Sequence, residues 1–387
     1  TFKYMFMSHY ATEVCKCPKT IYKSLMTIAF AGLCLASCDK ELKEETAMEV
    51  GVVTDNNVSF NGNTVTVKKG SPVTFSFNGD PDFITFFSGE IGHEYKHRNR
   101  TEMKVEDIEK CELSFRIWYR YGNASTIKGS THVLVSDQFN GINGSNVDQD
   151  KQTVENCEWT EVFAQEELPT KPNSTSETAE SSKTFTFELS SYLAKEITIA
   201  VHYNPIDNSN TMPQLNIMDM NIDLMFTNGK GNTVNAKDFG FSPLNLVYDL
   251  TKLNDSHKKV LKKALGNEKM PDEDLNSEEN IKKYPYLLVD GQIPDFWSTT
   301  TPTRIQIAGG SKGTTKADTW LISAPVLLGT CYPDAGQSIK NISQTLEIYS
   351  HTYEEAGTYT ATFVANNANY VHQGGQVVRE LTINVVE

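Results

Sequence analysis

A strict alternation of apolar and polar side chains near residues 349–386 constrains the fold of this chain more than any other feature. After a turn at Glu354–Gly357, Tyr359, Ala361 and Phe363 share one face of an extended segment, and threonines occupy the other face. A period of two predicts a half-buried β-strand. A second alternating run follows at Val377–Val386. Two strands cannot bury a face by themselves, so their partners must come from elsewhere in the chain.

The partners that these two strands need are predicted near the opposite end of the chain. Short apolar–polar alternations between Val58 and Phe87 are separated by turns that contain Gly and Asn. Residues 56–101 and 345–387 therefore carry strand patterns of the same length and spacing, which makes the two segments candidate partners. The inward face of the Tyr359–Phe363 strand should pack against the face shared by Val73, Phe75 and Phe77.

The middle of the chain, residues 102–344, carries many more short strand patterns between polar loops. This pattern predicts an inserted, jelly-roll-like β-sandwich, so the fold class is all-β. The stretch Asn140–Lys151 is rich in Gly, Asn and Asp and is expected to be a loop. Thr251–Lys269 instead shows helical spacing with a stop at Gly266, which predicts one short helix. Tyr284–Val289 is predicted to return to strand.

The first 38 residues are expected to be upstream residues and a secretory signal. Three lysines precede the apolar run Leu25–Leu35, which is too short to span a membrane. The tetrad Leu35-Ala36-Ser37-Cys38 resembles a bacterial lipobox, and this resemblance implies cleavage before Cys38 and a lipid on its sulfur. The alternative is an ordinary signal peptide with an incidental cysteine.

Residues 39–55 are acidic and predict a flexible tether. In Bacteroides-type bacteria, such an acidic stretch resembles a signal for the cell surface of the outer membrane.

Two segments far apart in the chain carry a family resemblance. The stretches KGSPVTFSFNGD and HTYEEAGTYTATF resemble the two ends of a PKD-type domain, which is an immunoglobulin-like sandwich. Together with GDPDFITFFSGEIGHEYKHR, the whole arrangement resembles a Bacteroides lipoprotein family, the domain of unknown function 5017. The resemblance implies a split PKD-like domain with a large insertion, and it carries no established activity.

Charge and cysteine content exclude some classes of function. The formal net charge is −14, whereas binding to a phosphate backbone needs a basic surface, so no nucleic-acid partner is expected. Beyond Cys38 the chain contains Cys111, Cys157 and Cys331. Pairing of Cys111 with Cys157 and buried free thiols are both open, and the second is simpler. No CxxC pair follows Cys38, and we expect no cofactor.

One motif looks catalytic. His93-Glu94-Tyr95-Lys96-His97 matches H-E-x-x-H, in which a helix places both histidines on one face to bind zinc. A zinc peptidase with His93 and His97 as metal ligands is one interpretation. Glycines precede the motif closely and no apolar helical stripe surrounds it. This context favours a polar loop at the domain junction, with Glu90, His93 and the nearby arginines in structural ion pairs.

Two tryptophans are candidates for sugar binding, because the apolar C–H faces of pyranose rings stack on aromatic rings. Trp118 is flanked on its strand face by Arg116 and Arg120, and Trp297 is expected in a loop. The competing interpretation is that a tryptophan in a sandwich strand belongs to the core, as we expect for Trp320.

Taken together, these features favour a non-catalytic, lipid-anchored surface protein. Its expected role is to bind glycan as an accessory of a polysaccharide uptake complex in the outer membrane. The first alternative is a surface hydrolase, either the zinc peptidase or a glycosidase whose paired carboxylates meet only in space. The second is a structural or adhesive surface protein.

Overall fold

The computed structural model of the protein describes residues 46–247, 250, 255–288, 291–292, 297–313, 316–368 and 373–387. Most of the described secondary structure is β-strand, as the alternating patterns predict. The first ten strands are β1 (Glu49–Val53), β2 (Val58–Asn61), β3 (Thr64–Lys68), β4 (Pro72–Asn78), β5 (Phe83–Phe87), β6 (Ile108–Arg120), β7 (Thr131–Ser136), β8 (Thr160–Glu161), β9 (Ser182–Glu188) and β10 (Glu196–Tyr203). The next are β11 (Gln214–Phe226), β12 (Gly231–Asn235), β13 (Ser242–Val247), β14 (Trp297–Thr301), β15 (Arg304–Ile307), β16 (Asp318–Ile322), β17 (Val326–Leu327), β18 (Gln337–Lys340), β19 (Ile348–Thr352), β20 (Gly357–Ala368) and β21 (Gln373–Val386).

Strands β1–β5 and β18–β21 form what we call the terminal sandwich. One sheet has the order β1-β4-β19 and the other has the order β18-β5-β20-β21-β3-β2. The ring of Phe363 on β20 lies 4.9 Å from that of Phe75 and 5.3 Å from that of Phe77, centroid to centroid. Both Phe75 and Phe363 are fully buried. The face-to-face contact expected from the two alternating patterns is therefore present.

Two boundaries of this sandwich differ from the prediction. The tether predicted over residues 39–55 is too long, because β1 pairs antiparallel with β4 and Met48 is buried in the same core. The insertion was predicted to extend to residue 344, yet β18 already pairs with β5. Main-chain pairing, which composition does not reveal, decides both boundaries. Cys38 and the predicted signal lie in residues 1–45, outside the described residues.

Strands β6–β17 form a second, central sandwich. One sheet has the order β13-β16-β10-β7-β8 with β17 beside β10, and the other has the order β14-β15-β11-β6-β9 with β12 beside β11. Alternate residues of β6, from Leu113 to Tyr119, point into a core that also contains Val133, Ile199 and Leu321 from the facing sheet. The amphipathic pattern of β6 thus directs one face inward and leaves Arg116, Trp118 and Arg120 on the outer face.

Three short α-helices are described, and the prediction of a single helix is wrong. They are α1 (Val147–Asn156), α2 (Asp255–Ala264) and α3 (Glu278–Lys283). Only α2 was expected. The stretch Asn140–Lys151, which includes the start of α1, was predicted to be a loop because it is rich in Gly, Asn and Asp. Buried Asp150 accepts hydrogen bonds from the backbone N–H groups of Asn143 and Gly144 and from the hydroxyl of Tyr286, so tertiary contacts hold this helix in place.

Residues 284–286 correct a further expectation. They form a 3₁₀ turn directly after α3 instead of a strand, and Tyr284 is fully buried. Pro285 lies within this turn and has no N–H to donate to a β-ladder.

Among the helices in the described ranges, none is long and apolar enough to cross a bilayer.

Candidate functional site

The chain leaves the terminal sandwich along residues 92–103 and returns along residues 329–335. The two segments run side by side: Met103 N–H donates to Gly329 O (2.8 Å), and Cys331 N–H donates to Thr101 O (2.9 Å). At the other end Ala335 N–H donates to Gly92 O (3.1 Å). We call this pair of segments the junction. It holds the His93–His97 motif in a defined backbone frame.

The junction does not give the His93–His97 motif the geometry of a zinc peptidase. Only Tyr95–His97 is helical, as a single 3₁₀ turn, and His93 precedes it. The Nδ1 atom of His93 lies 2.6 Å from Ala335 O, so it donates its proton to the return segment. The zinc motif needs an α-helix that carries both imidazoles on one face. No α-helix carries the two imidazoles here, because His93 lies before the single 3₁₀ turn. This geometry corrects the peptidase interpretation of His93 and His97.

His97 instead belongs to a group with Glu94 and Asp334. One ligand atom from each side chain lies within 4.8 Å of the others, a donor set that could hold a metal ion. Both carboxylates already have a cationic partner in the protein, Lys96 for Glu94 and Arg100 for Asp334. Glu94 contacts Lys96 (2.7 Å) and His97 Nδ1 (3.0 Å), and Asp334 accepts a hydrogen bond from Arg100 (3.1 Å). A bound ion would have to displace these partners, so the group is best described as an ion-pair network.

The polar loop predicted at this place is present, but His93, which was expected in an ion pair, instead donates to the backbone O of Ala335. Glu90, which precedes the junction, contacts His351 of β19 in the terminal sandwich at 2.9 Å. Asp334 is almost completely buried and also accepts the N–H of Glu94 (3.0 Å). Arg100, its partner, is the arginine of this loop that makes the structural ion pair.

A cavity of about 240 Å³ opens beside the junction. Its walls come from the two junction segments and from the turn between β11 and β12, and its polar lining includes His93, Arg100, Asn228, Lys230 and Asp334. Tyr332 also lines it, with 78% of its surface exposed. Tyr332 and Lys230 belong to no sequence motif, because each is an isolated residue in a loop and only the return of the chain brings them together.

The outer face of β6 carries the second candidate site. Trp118 is half-buried between Asn216 of β11 and Ser182 of β9, its register partners. Its indole N–H is buried and has no acceptor within the described part of the chain. The guanidinium of Arg120 lies 5.9 Å from the Trp118 ring and 4.7 Å from the ring of Tyr121. Nearly half of the Tyr121 surface is exposed. We call Trp118, Arg120 and Tyr121 the β6 platform.

The two arginines beside Trp118 have different surroundings. Arg116 is held by Glu177 (2.6 Å) and Asp219 (3.2 Å), so its charge is neutralised within the protein. Arg120 donates to the backbone O of Ser174 (3.2 Å) and makes no ion pair among the described residues. Arg120 is therefore the arginine that can donate to a ligand. Tyr121, which lies at the end of the strand with φ of 58°, was not predicted as a site residue.

Trp297 is not a binding residue. It is the first residue of β14 instead of a loop residue, it is 1% exposed, and its indole N–H donates to Thr319 Oγ1 (2.7 Å). The predicted ligand-binding role of Trp297 is thus corrected to a role in the core. Trp320 is buried as expected and stacks on His202 with ring centroids 4.0 Å apart.

Cys111, Cys157 and Cys331 are all free thiols. Cys111 and Cys331 are buried, and Cys157 is partly exposed. Burial raises the pKa of the Cys111 thiol to about 12, with a further contribution from Glu188. Burial likewise raises the pKa of Cys331, against the opposing effect of Arg100. These surroundings suppress the thiolate, so neither buried cysteine is placed to act as a nucleophile.

The fold and these two sites define a class: an all-β protein of two sandwiches, with one sandwich inserted between strands of the other. Residues 37–240 match the family described as Domain of unknown function (DUF5017), which is more than half of the 387 residues. The chain belongs to this family. The match includes the β6 platform and the outgoing junction segment, whereas Tyr332 on the return segment lies outside it. No curated protein matches the chain.

Proposed function

We propose that this protein is a non-catalytic, lipid-anchored protein of the cell surface that binds glycan as an accessory of a polysaccharide uptake complex. The observation that carries the proposal is the β6 platform, where the guanidinium of Arg120 lies close to both the half-buried ring of Trp118 and the exposed ring of Tyr121 and makes no ion pair among the described residues. Aromatic rings present flat apolar surfaces to the C–H faces of pyranose rings, and a guanidinium donates hydrogen bonds to sugar oxygens.

The scaffold supports this assignment. Trp118 and Arg120 project from a 13-residue strand that is paired on both sides, with β9 and β11. Side chains on such a rigid element keep a fixed spacing, which favours recognition of a repeating ligand. In this proposal the terminal sandwich is a PKD-like scaffold, and the central sandwich is the jelly-roll-like module that presents the platform.

A polysaccharide panel tests the glycan role. We expect the full chain to bind at least one surface polysaccharide and the variants Trp118→Ala and Tyr121→Asn to bind at least tenfold more weakly, a loss of about 1.4 kcal/mol or more. Asparagine is chosen because it tolerates the positive φ at residue 121. Binding can be measured by calorimetry, with thermal unfolding to confirm that each variant folds.

The matched control is Arg379→Ala, which removes an exposed arginine from β21 of the terminal sandwich. It should bind as the unchanged protein does. If the full chain binds no member of the panel, the glycan role is wrong and a structural or adhesive role takes its place. If both platform variants keep full affinity, the ligand binds elsewhere and the assignment of the platform is wrong.

The anchor is a separate part of the proposal. It rests on the lipobox resemblance of Leu35–Cys38, in residues outside those that the structure describes. In a bacterium that modifies lipoproteins, the mature protein should begin at Cys38 and carry acyl chains. Mass spectrometry of its first peptide checks this, and Cys38→Ser should release the protein from the membrane fraction. An unmodified Cys38 in the mature protein would contradict the anchor.

A further inference from the structure

The junction cavity is a second candidate site, and hydrogen bonds hold the segments that form its walls. Phe226 N–H donates to Lys230 O (2.8 Å), and Lys230 N–H donates to Asn228 Oδ1 (3.0 Å), which orders the turn between the strands. Asn232 Nδ2 donates to Thr330 O (3.2 Å) and ties this hairpin to the return segment. The cavity is thus a preformed feature of the fold.

Positive charge exceeds negative charge on the cavity wall. Asp334 is neutralised by Arg100, whose Nη2 lies 3.1 Å from the carboxylate. This contact leaves the Nε atom of Arg100 buried and without an acceptor in the described structure. Lys230 makes no ion pair among the described residues. The protein as a whole has a formal charge of −14, so an uncompensated lysine beside an arginine is a local feature suited to an anion.

Tyr332 adds an apolar surface to this cationic wall. It is the most exposed of the large hydrophobic side chains that the structure describes, at 78%. Its backbone is positioned by the hydrogen bond of the preceding residue, Cys331, to Thr101. A volume of about 240 Å³ is below the range of about 300–1,000 Å³ that is typical of pockets for drug-sized ligands. This volume limits the occupant to a small molecule. The cationic wall favours an anion, and the exposed ring of Tyr332 favours an occupant with an apolar face that can cover it.

We propose that the junction cavity binds an acidic sugar residue, with its carboxylate against Arg100 and Lys230 and its ring against Tyr332. The planar guanidinium matches a carboxylate, and the lysine adds a point charge. The junction cavity is separate from the β6 platform, and this proposal does not depend on glycan binding at that platform. A monosaccharide is sufficient to test it, so its failure is distinguishable from failure of polysaccharide binding.

The experiment titrates the full chain with galacturonate, galactose and inorganic sulfate by calorimetry or ligand-observed NMR. We expect galacturonate to bind at least tenfold more tightly than galactose, and its affinity to fall as salt is added. Sulfate should compete, but bind more weakly than galacturonate because it cannot cover Tyr332. Lys230→Gln and Tyr332→Ala should each weaken galacturonate at least fivefold. Both side chains are exposed, so these variants leave the Arg100–Asp334 ion pair in place.

Lys312→Gln removes an exposed lysine elsewhere in the central sandwich and should leave galacturonate binding unchanged. Three results would overturn the proposal: no binding of galacturonate at millimolar concentration, equal affinity for galactose, or full affinity in both cavity variants. Sulfate binding as tightly as galacturonate would also overturn it, because the cavity would then recognise charge without a sugar ring.

Discussion

At the scale of single residues, burial separates side chains that look alike in the sequence. Trp118 and Trp297 were both candidates for ligand binding, and the structure leaves the first at a surface and places the second in the core. The indole N–H of Trp297 is satisfied by Thr319, a partner 22 residues away. A buried tryptophan of this kind cannot be distinguished from an exposed one by its neighbours in the chain, because its partner comes from another strand.

The thiols give a prediction at this scale. We expect iodoacetamide at pH 8 to modify Cys157, which is partly exposed, and to leave Cys111 and Cys331 unmodified until the protein is unfolded in urea. The folded-state pKa of Cys111 is raised to about 12, so at pH 8 almost none of this thiol is the reactive thiolate. Its reactivity should appear only as the pH approaches 12 or as the fold is lost.

Peptide mapping by mass spectrometry identifies which cysteine carries the label. Labelling in urea is the control, since all three thiols should then react. A peptide in which Cys111 is bonded to Cys157, or rapid labelling of Cys111 in the folded protein, would contradict the described core.

At the scale of elements, local pattern predicted strands well and helices poorly. The alternation along β6 identified its buried and exposed faces because a strand has a fixed period of two. Helix α1 was missed because its position depends on Asp150, whose partners include Tyr286, 136 residues away in the chain. No window of local sequence contains that interaction.

The His93–His97 motif shows the same limit at a candidate site. Its five letters match a zinc motif, yet chemistry at that spacing depends on an α-helix. The return segment captures His93 through Ala335, and Asp334 accepts the N–H of Glu94. These contacts hold the motif as an irregular segment with a single 3₁₀ turn. The glycines close to the motif were the local signal that favoured this outcome.

At the scale of the whole molecule, the two ends of the described chain depend on each other. Strand β21 pairs in parallel with β3, and β20 pairs with β5. Strands β4 and β19 join in the facing sheet. The N-terminal strands therefore lack most of their neighbours until the last strands are in place.

Deletion of residues 349–387 tests this dependence. We expect the truncated protein to lose amide protection in residues 58–87, because removal of β20 and β21 exposes Val65, Phe75 and the rest of their buried face. Hydrogen exchange followed by mass spectrometry measures the loss. The internal reference is residues 113–119 of β6, whose core cluster is separate from that of the terminal sandwich. Unchanged protection of residues 58–87 would show that they form a sandwich without the C-terminal strands.

The amino-acid sequence was sufficient to predict the fold class and the buried faces of the main strands, including the faces of Phe363 and Phe75. These follow from the alternation of side chains, which is a local property of an extended backbone. Tertiary contacts bury Trp297 in the core, neutralise Arg116 while leaving Arg120 without an ion pair among the described residues, and bring Tyr332 and Lys230 to one cavity. Each of these depends on residues distant in the chain, and strand pairing and chain return bring such residues together in ways that no local pattern encodes.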